Sequence, residues 1–251
     1  MCYYLKTFYY NDPLFKSVDA TYIVHLEGNG RYKDIEEQLS KYHPTKIVHV
    51  LFNKGYKNCN KTNIESPAKD LIDAYLYMFE HAKRYNTILA LEDDFMFNEN
   101  VSEHTDNIDE FVNRHTDFIY RIGCFPFIMV PYNYNNYIGL TGGTHSVLYS
   151  KSAREKTKST NINDWDEHLN RTSINYIYYT PVCYQLFTDT DNQKDFVNVN
   201  IFARLLIEII KIIQLDKHVE PGYSIAYSVS KMWVWLIILF IVFKIWSNKS
   251  R

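Results

Sequence analysis

The sequence is short of the features that would assign it quickly. Its four cysteines, Cys2, Cys59, Cys124 and Cys183, are scattered over 251 residues with no C-x-x-C pair. That spacing offers no zinc site and no disulfide framework, and it suits a reducing compartment. There is no basic surplus: a net charge of −2 argues against a general nucleic-acid binder. Residues 1–10 lack a basic start followed by an apolar core, and Asn11-Asp12-Pro13 interrupts them early, so no secretory signal is expected. A Gly-rich or basic phosphate loop is also missing.

What is present is aromatic. Tyr occurs 22 times and Phe 15 times, alongside frequent Asn, Ile and Lys. All five have A/T-rich codons, so base composition accounts for the bias without any function. The sequons at Asn60, Asn100, Asn170 and Asn248 are expected by chance in an Asn-rich chain. A chain of this length holds one ordinary domain, with or without an appendage.

One stretch organises the rest. Residues 88–97 read I-L-A-L-E-D-D-F-M-F: a buried strand that runs into three acids. Bare carboxylates cannot stay charged against a core, because an unpaired buried charge costs several kcal/mol or shifts its pKa. Either the acids are solvated at a strand-to-loop transition, or a countercharge holds them. A divalent cation fits, since Mg²⁺ and Mn²⁺ take hard oxygen ligands, commonly one or two carboxylates plus substrate phosphates.

Context decides between these. Residues 21–26 and 46–52 read as strands. Residues 31–40 read as a helix, and so do 67–84, where Ser66 caps and Pro67 takes the first turn. The first ninety residues therefore alternate strand and helix, which predicts an α/β fold with a mostly parallel central sheet. In such sheets ligands bind beyond the carboxyl ends of the strands, where residues 92–94 and the turn at 27–30 fall. Further on, residues 125–137 are aromatic and irregular, 141–144 (T-G-G-T) read as a tight turn or a close backbone approach, and 145–149 read as a strand. A second acidic cluster contains Asp164, Asp166 and Glu167.

Three stretches in this order resemble glycosyltransferases of the lipooligosaccharide-biosynthesis and collagen-galactosyl type, which have the GT-A nucleotide-sugar fold. They are Y-I-V-H-L-E-G-N-G-R-Y-K-D-I-E-E-Q-L, I-L-A-L-E-D-D-F-M-F and T-H-S-V-L-Y-S-K-S-A-R-E-K. P-V-C-Y-Q-L-F at 181–187 is similar to glycosyltransferase-like proteins of large DNA viruses. The family's Gly-Glu and Ser-His elements before the acidic motif are absent here; residues 66–75 read S-P-A-K-D-L-I-D-A-Y.

The resemblance implies transfer of a hexosyl group from a nucleotide sugar, UDP-linked in the first instance, to a glycan, lipid-linked or protein acceptor. It implies Mn²⁺ or Mg²⁺ on Asp94 and Glu92, in a D-x-D-like pair. Arg31, Glu92, Asp93, Gly142 and Gly143 would lie around the donor. Asp166, or else Asp164, would take the acceptor proton in an inverting transfer, with Glu167 a further candidate, and His145 and His168 could complete the metal sphere. The alternatives are a nucleotidyltransferase-like metal enzyme, which the missing phosphate loop disfavours, and a degenerate transferase kept as a membrane scaffold.

The tail is a separate problem. The catalytic region is expected over residues 1–200, an amphipathic or juxtamembrane helix over 201–220, and a membrane segment with a short basic tail over 221–251. Residues 232–243 are uninterrupted apolar and bounded by Lys231 and Lys244, with Trp233, Trp235 and Trp246 towards the ends, as in an interfacial belt. The expectation is a single-pass C-terminal anchor in a host-cell or virion membrane, with the catalytic domain in the cytosol.

Overall fold

The computed structural model describes residues 1–158, 162–186 and 208–249. Its centre is a seven-stranded sheet in the spatial order β1-β3-β2-β4-β7-β6-β8. The strands are β1 (Tyr3–Tyr9), β2 (Ala20–Leu26), β3 (Ile47–Asn53), β4 (Thr87–Glu92), β6 (Ile119–Pro131), β7 (Asn136–Ser150) and β8 (Asn175–Tyr178). β2, β3 and β4 are mutually parallel, as the alternating pattern predicts. β1 and β7 run against the other five. A small second sheet pairs β5 (Phe95–Phe97) with β9 (Cys183–Gln185).

Helices cover both faces. Leu89 and Leu91 of β4 point to the side of α1 (Tyr32–Lys41) and α3 (Thr105–Arg114). Ile88 and Ala90 point to the side of α2 (Pro67–His81), α4 (Lys151–Thr157) and α5 (Trp165–Thr172). This is the two-residue alternation of a strand buried on both faces. α2 begins as the sequence predicts: Ser66 accepts a hydrogen bond from the Lys69 amide, and Pro67 follows. Ser150 caps α4 by accepting a hydrogen bond from the Ala153 amide.

Three features differ from the sequence reading. Tyr3–Tyr9, to which the sequence reading gave no element, is an edge strand. Residues 125–137 are not irregular but form the outer end of a long β6–β7 hairpin. Residues 141–144 are not a turn. They lie inside β7, where the partner of Phe125 is Gly142 while that of Gly123 is Ser146. The extra β7 residues form a bulge, and Gly143 takes φ +81° there, a conformation that favours glycine. The stretch 201–215, expected to be helical, lies partly outside the described residues; 208–212 are helical.

The cysteine reading is overturned. Cys2 and Cys59 form a disulfide across 57 residues, with Cα atoms 5.7 Å apart. β1 runs beside β3, and the loop after β3 folds back over its start, which sequence spacing cannot show. Beneath the loop Lys61 is buried against Asp70 and Asn53. Cys124 and Cys183 are free and buried. Cys2→Ser is expected to cost about 2–4 kcal/mol, read as a lower melting temperature than the unreduced parent. An unchanged melting temperature would remove the bond from the stability of the fold.

The last helix, α6 (Gly222–Lys249), is long and apolar enough to cross a membrane. Its first turns belong to the domain. Tyr223, Ala226 and Tyr227 are buried with Cys124, Phe125, Met129 and Ile177, and Ser230 donates to the Pro126 carbonyl. From Met232 to Trp246 its large apolar residues are exposed.

Candidate active site

β4 carries Glu92 at its last position, and a tight turn places Asp93 and Asp94 between β4 and β5. Because β2 is parallel to β4, its end and the following turn come to the same edge. The acids thus sit at the carboxyl edge of parallel strands, where adjacent strand ends leave a crevice.

The three acids have different surroundings. Asp93 is a buried pin. Its Oδ2 accepts from His25 Nδ1 at 3.0 Å, the Leu26 amide at 3.1 Å and Asn29 Nδ2 at 2.6 Å. Its Oδ1 accepts from Arg31 Nη1 at 3.0 Å. Burial pushes its pKa up, but the bonds from His25 and Asn29 and the Arg31 charge outweigh it and hold the carboxyl below its ordinary value. Asp93 therefore fastens the turn after β2 to the end of β4.

Asp94 is less satisfied. Oδ2 accepts from Arg31 Nη1 at 2.8 Å and from Gln185 Nε2 at 2.8 Å. Oδ1 is buried with no partner. Burial, opposed by Arg31 and helped by the Asp93 charge, raises its pKa to about 6. Glu92 accepts from Thr144 Oγ1 at 2.5 Å and Tyr75 Oη at 3.3 Å. Burial first, and then the Asp94 charge, push it up to about 8.

Asp166 completes the group from α5. Its Oδ2 accepts the Gly143 amide at 2.9 Å, and its Oδ1 lies 3.3 Å from Arg121 Nη1. Glu92 and Asp166 are thus held by neighbouring residues of one strand, Thr144 and Gly143. Burial raises Asp166 against the opposing Arg121 charge. Arg121 is fully buried; it also donates to the Gly143 carbonyl and to Asn175, and its Nη2 has no partner. Four carboxyl groups share two guanidinium groups, so full ionisation leaves negative charge in excess. Arg31, with its side chain 29% exposed, is the cation nearest solvent.

A carboxyl raised by burial contributes stability below its ordinary pKa and loses it as pH rises through the folded value. In chelator, the melting temperature is expected to fall between about pH 5 and 8 as Glu92 and Asp94 ionise. Glu92→Gln should flatten that curve and gain of the order of 2 kcal/mol at the upper end. Parallel curves for parent and variant would show that Glu92 ionises without cost.

Of the residues expected in a site, Arg31, Glu92, Asp93, Asp94, Gly143 and Asp166 come together here. Gly142 lies beside them in β7. Asp164 caps α5 by accepting the Glu167 amide, and Glu167 pairs with Arg171. His168 bonds the Thr157 carbonyl and stacks on Trp165, with no contact to the acids. His145 is buried, its Nδ1 unpartnered and its pKa lowered to about 4 by burial. Sequence reasoning passed over His25, Tyr75, Arg121, Thr144 and Gln185. Each sits in an apolar or neutral run, and pairings distant in sequence bring them to the acids. Gln185 is aligned with Phe95 by the β5–β9 ladder, next to Asp94. A cavity of about 360 Å³ between Asp117, Lys156, Ile174 and Tyr176 lies at the starts of β6 and β8, the opposite edge of the sheet.

Among the described residues no group of three or more His, Cys, Asp or Glu side chains is arranged to hold a metal. The donor set still fits a hard dication of the kind that binds through one or two carboxylates and completes its sphere with phosphate and water. The buried, unpartnered Asp94 Oδ1 is the atom that such an ion would satisfy.

No protein-family model matches the chain, and no curated protein matches it in sequence. Among solved structures it is similar to A197 from STIV, at 13% identity over 64% of this chain and 81% of that one, with a TM-score of 0.42. It is also similar to a glycosyltransferase involved in glycosylation of the major capsid of PBCV-1. That identity is 12%, over 71% of this chain and 97% of the other, with a TM-score of 0.39.

Proposed function

We propose that the chain is a membrane-attached glycosyltransferase of GT-A type that moves a hexosyl group from a nucleotide sugar to a glycan, lipid-linked or protein acceptor. The observation that carries this is the group Glu92, Asp94, Asp166 and Arg31 at the carboxyl edge of parallel strands, with Asp94 Oδ1 unpartnered. Two of the three stretches that resemble the lipooligosaccharide and collagen-galactosyl type supply Arg31, Glu92 and Asp94, and α5 supplies Asp166.

Asp94, with Glu92, would hold Mn²⁺ or Mg²⁺, which when bound neutralises the diphosphate leaving group. Arg31, which donates to Asp94 Oδ2, is within reach of the same charge. Asp93 keeps Arg31 and the turn at 27–30 in place throughout. Asp166 accepts the proton of the acceptor hydroxyl; burial raises its pKa, which strengthens it as a base, and the Gly143 amide and Arg121 fix its orientation. Asp164 acts indirectly, by capping the helix that carries Asp166. Gly143 lets the backbone approach closely where a side chain would be strained. Inversion at the sugar follows from a single carboxylate acting as base.

The anchor is α6. The Cys2–Cys59 bond favours the oxidising side of the membrane for the domain, so the cytosolic placement expected from the N-terminal residues is not carried forward.

A degenerate scaffold is the second reading, and one observation favours it: Arg31 already neutralises part of the acidic group. Melting temperature followed against Mn²⁺ and a panel of nucleotide sugars separates the two. The transferase reading expects a rise that needs both the metal and one class of nucleotide sugar. The scaffold reading expects none.

A further inference from the structure

We infer that the tip and outer face of the β6–β7 hairpin are a second membrane contact, and that the domain rests on the lipid surface rather than swinging from its anchor. The inference takes the anchoring by α6 as given.

The first argument is length. The exposed apolar part of α6, Met232–Trp246, spans about 22 Å at 1.5 Å per residue. A bilayer hydrocarbon core is about 30 Å thick. Ser247, Asn248 and Lys249 follow at one end, so the deficit is made up at the other. The bilayer must reach the packed part of the helix, or thin towards it. No linker holds the domain away.

The second argument is what lies there. Lys231 donates to the Tyr179 carbonyl at 2.6 Å and sits over the ring of Tyr137 at 5.2 Å. The Tyr179 amide in turn donates to the Asn135 carbonyl at the hairpin tip. The helix therefore leaves the domain beside that tip. On the hairpin Phe127, Val130, Tyr132, Tyr134 and Leu140 are exposed, Tyr134 at 96%. Apolar and tyrosine side chains of this mixture are enriched where protein meets the lipid headgroups. The exit of the apolar helix beside that tip selects a phospholipid bilayer as the occupant.

The test uses the full chain with Tyr134→Cys carrying an environment-sensitive fluorophore, in phosphatidylcholine vesicles with and without brominated lipid. The native cysteines do not compete, being disulfide-bonded or buried. Glu36→Cys on α1, exposed and remote from the hairpin, is the control. The expected result is flotation with the vesicles, with loss of fluorescence to brominated lipid at position 134 and none at 36. Flotation without quenching at 134 overturns the docking and leaves the anchor standing. A blue shift at 134 with no lipid quenching overturns it in favour of a second protein copy on the hairpin. Failure to float overturns the anchor and the docking together.

Discussion

Asp94→Asn is expected to lower sugar transfer by at least about a hundredfold while leaving the fold intact. The magnitude is that of removing one group preorganised for charge in the transition state. The fold should survive because the asparagine amide keeps an oxygen for Arg31 Nη1 and Gln185 Nε2, the two donors to Asp94 Oδ2. It also removes a carboxylate from an acid-rich group, so the melting temperature should hold or rise. Asp93→Asn is the contrast. Asp93 takes three donors on one oxygen and Arg31 on the other, and loss of its charge should loosen the turn after β2 and lower the melting temperature. Turnover is read as nucleoside diphosphate released from the sugar donor that stabilises the parent. Full activity of Asp94→Asn beside a stable fold would end the assignment of the site.

Two truncations should behave in opposite ways. A chain stopped after Lys231 keeps Tyr223, Ala226, Tyr227 and Ser230 in the core and sheds the exposed run from Met232. It should be soluble, no longer sediment with membranes, and melt close to the parent. A chain stopped after Asp216 removes the whole of α6 and uncovers Cys124, Phe125, Met129 and Ile177. Losing two buried tyrosines and an alanine forfeits of the order of 5 kcal/mol, or about 10 °C or more in a domain of this size. Aggregation is the expected outcome. Equal behaviour of the two chains would show that the first turns of α6 are dispensable. Membrane association surviving the Lys231 stop would move the anchor elsewhere.

The parallel core was legible because its strands are unbroken apolar runs separated by helical spacing, and β4 ends in acids that no core can absorb. The parallel order of β2, β3 and β4 followed from that alternation. β1 and the hairpin were harder to read. Tyr and Phe are so frequent that the four aromatics of Tyr3–Tyr9 do not stand out. Pro126 and Pro131 made the hairpin look irregular, yet the structure places Pro131 at a strand end and Pro126 beside a register shift, positions where proline does least harm to a ladder. The acids of the candidate site were visible in the sequence, Glu92 to Asp94 as a run at a strand end and Asp166 through the resemblance. Their partners were not: Gln185 lies 91 residues from Asp94, and only the β5–β9 pairing brings it there. The same limit hid the Cys2–Cys59 bond and the split nature of α6, whose apolar sequence does not distinguish burial in protein from burial in lipid.

The hydrogen bonds between Tyr223 and Gln185 set a ruler. Gln185 holds Asp94, and Tyr223 stands in the first turn of the helix proposed as the anchor. Eight residues separate Tyr223 from Lys231, about 12 Å of rigid helix. On that proposal the carboxylates would be kept at a fixed height above the lipid. An acceptor would then be selected by its reach as well as its chemistry: its reactive hydroxyl would have to stand at that height, neither flush with the headgroups nor carried far beyond them.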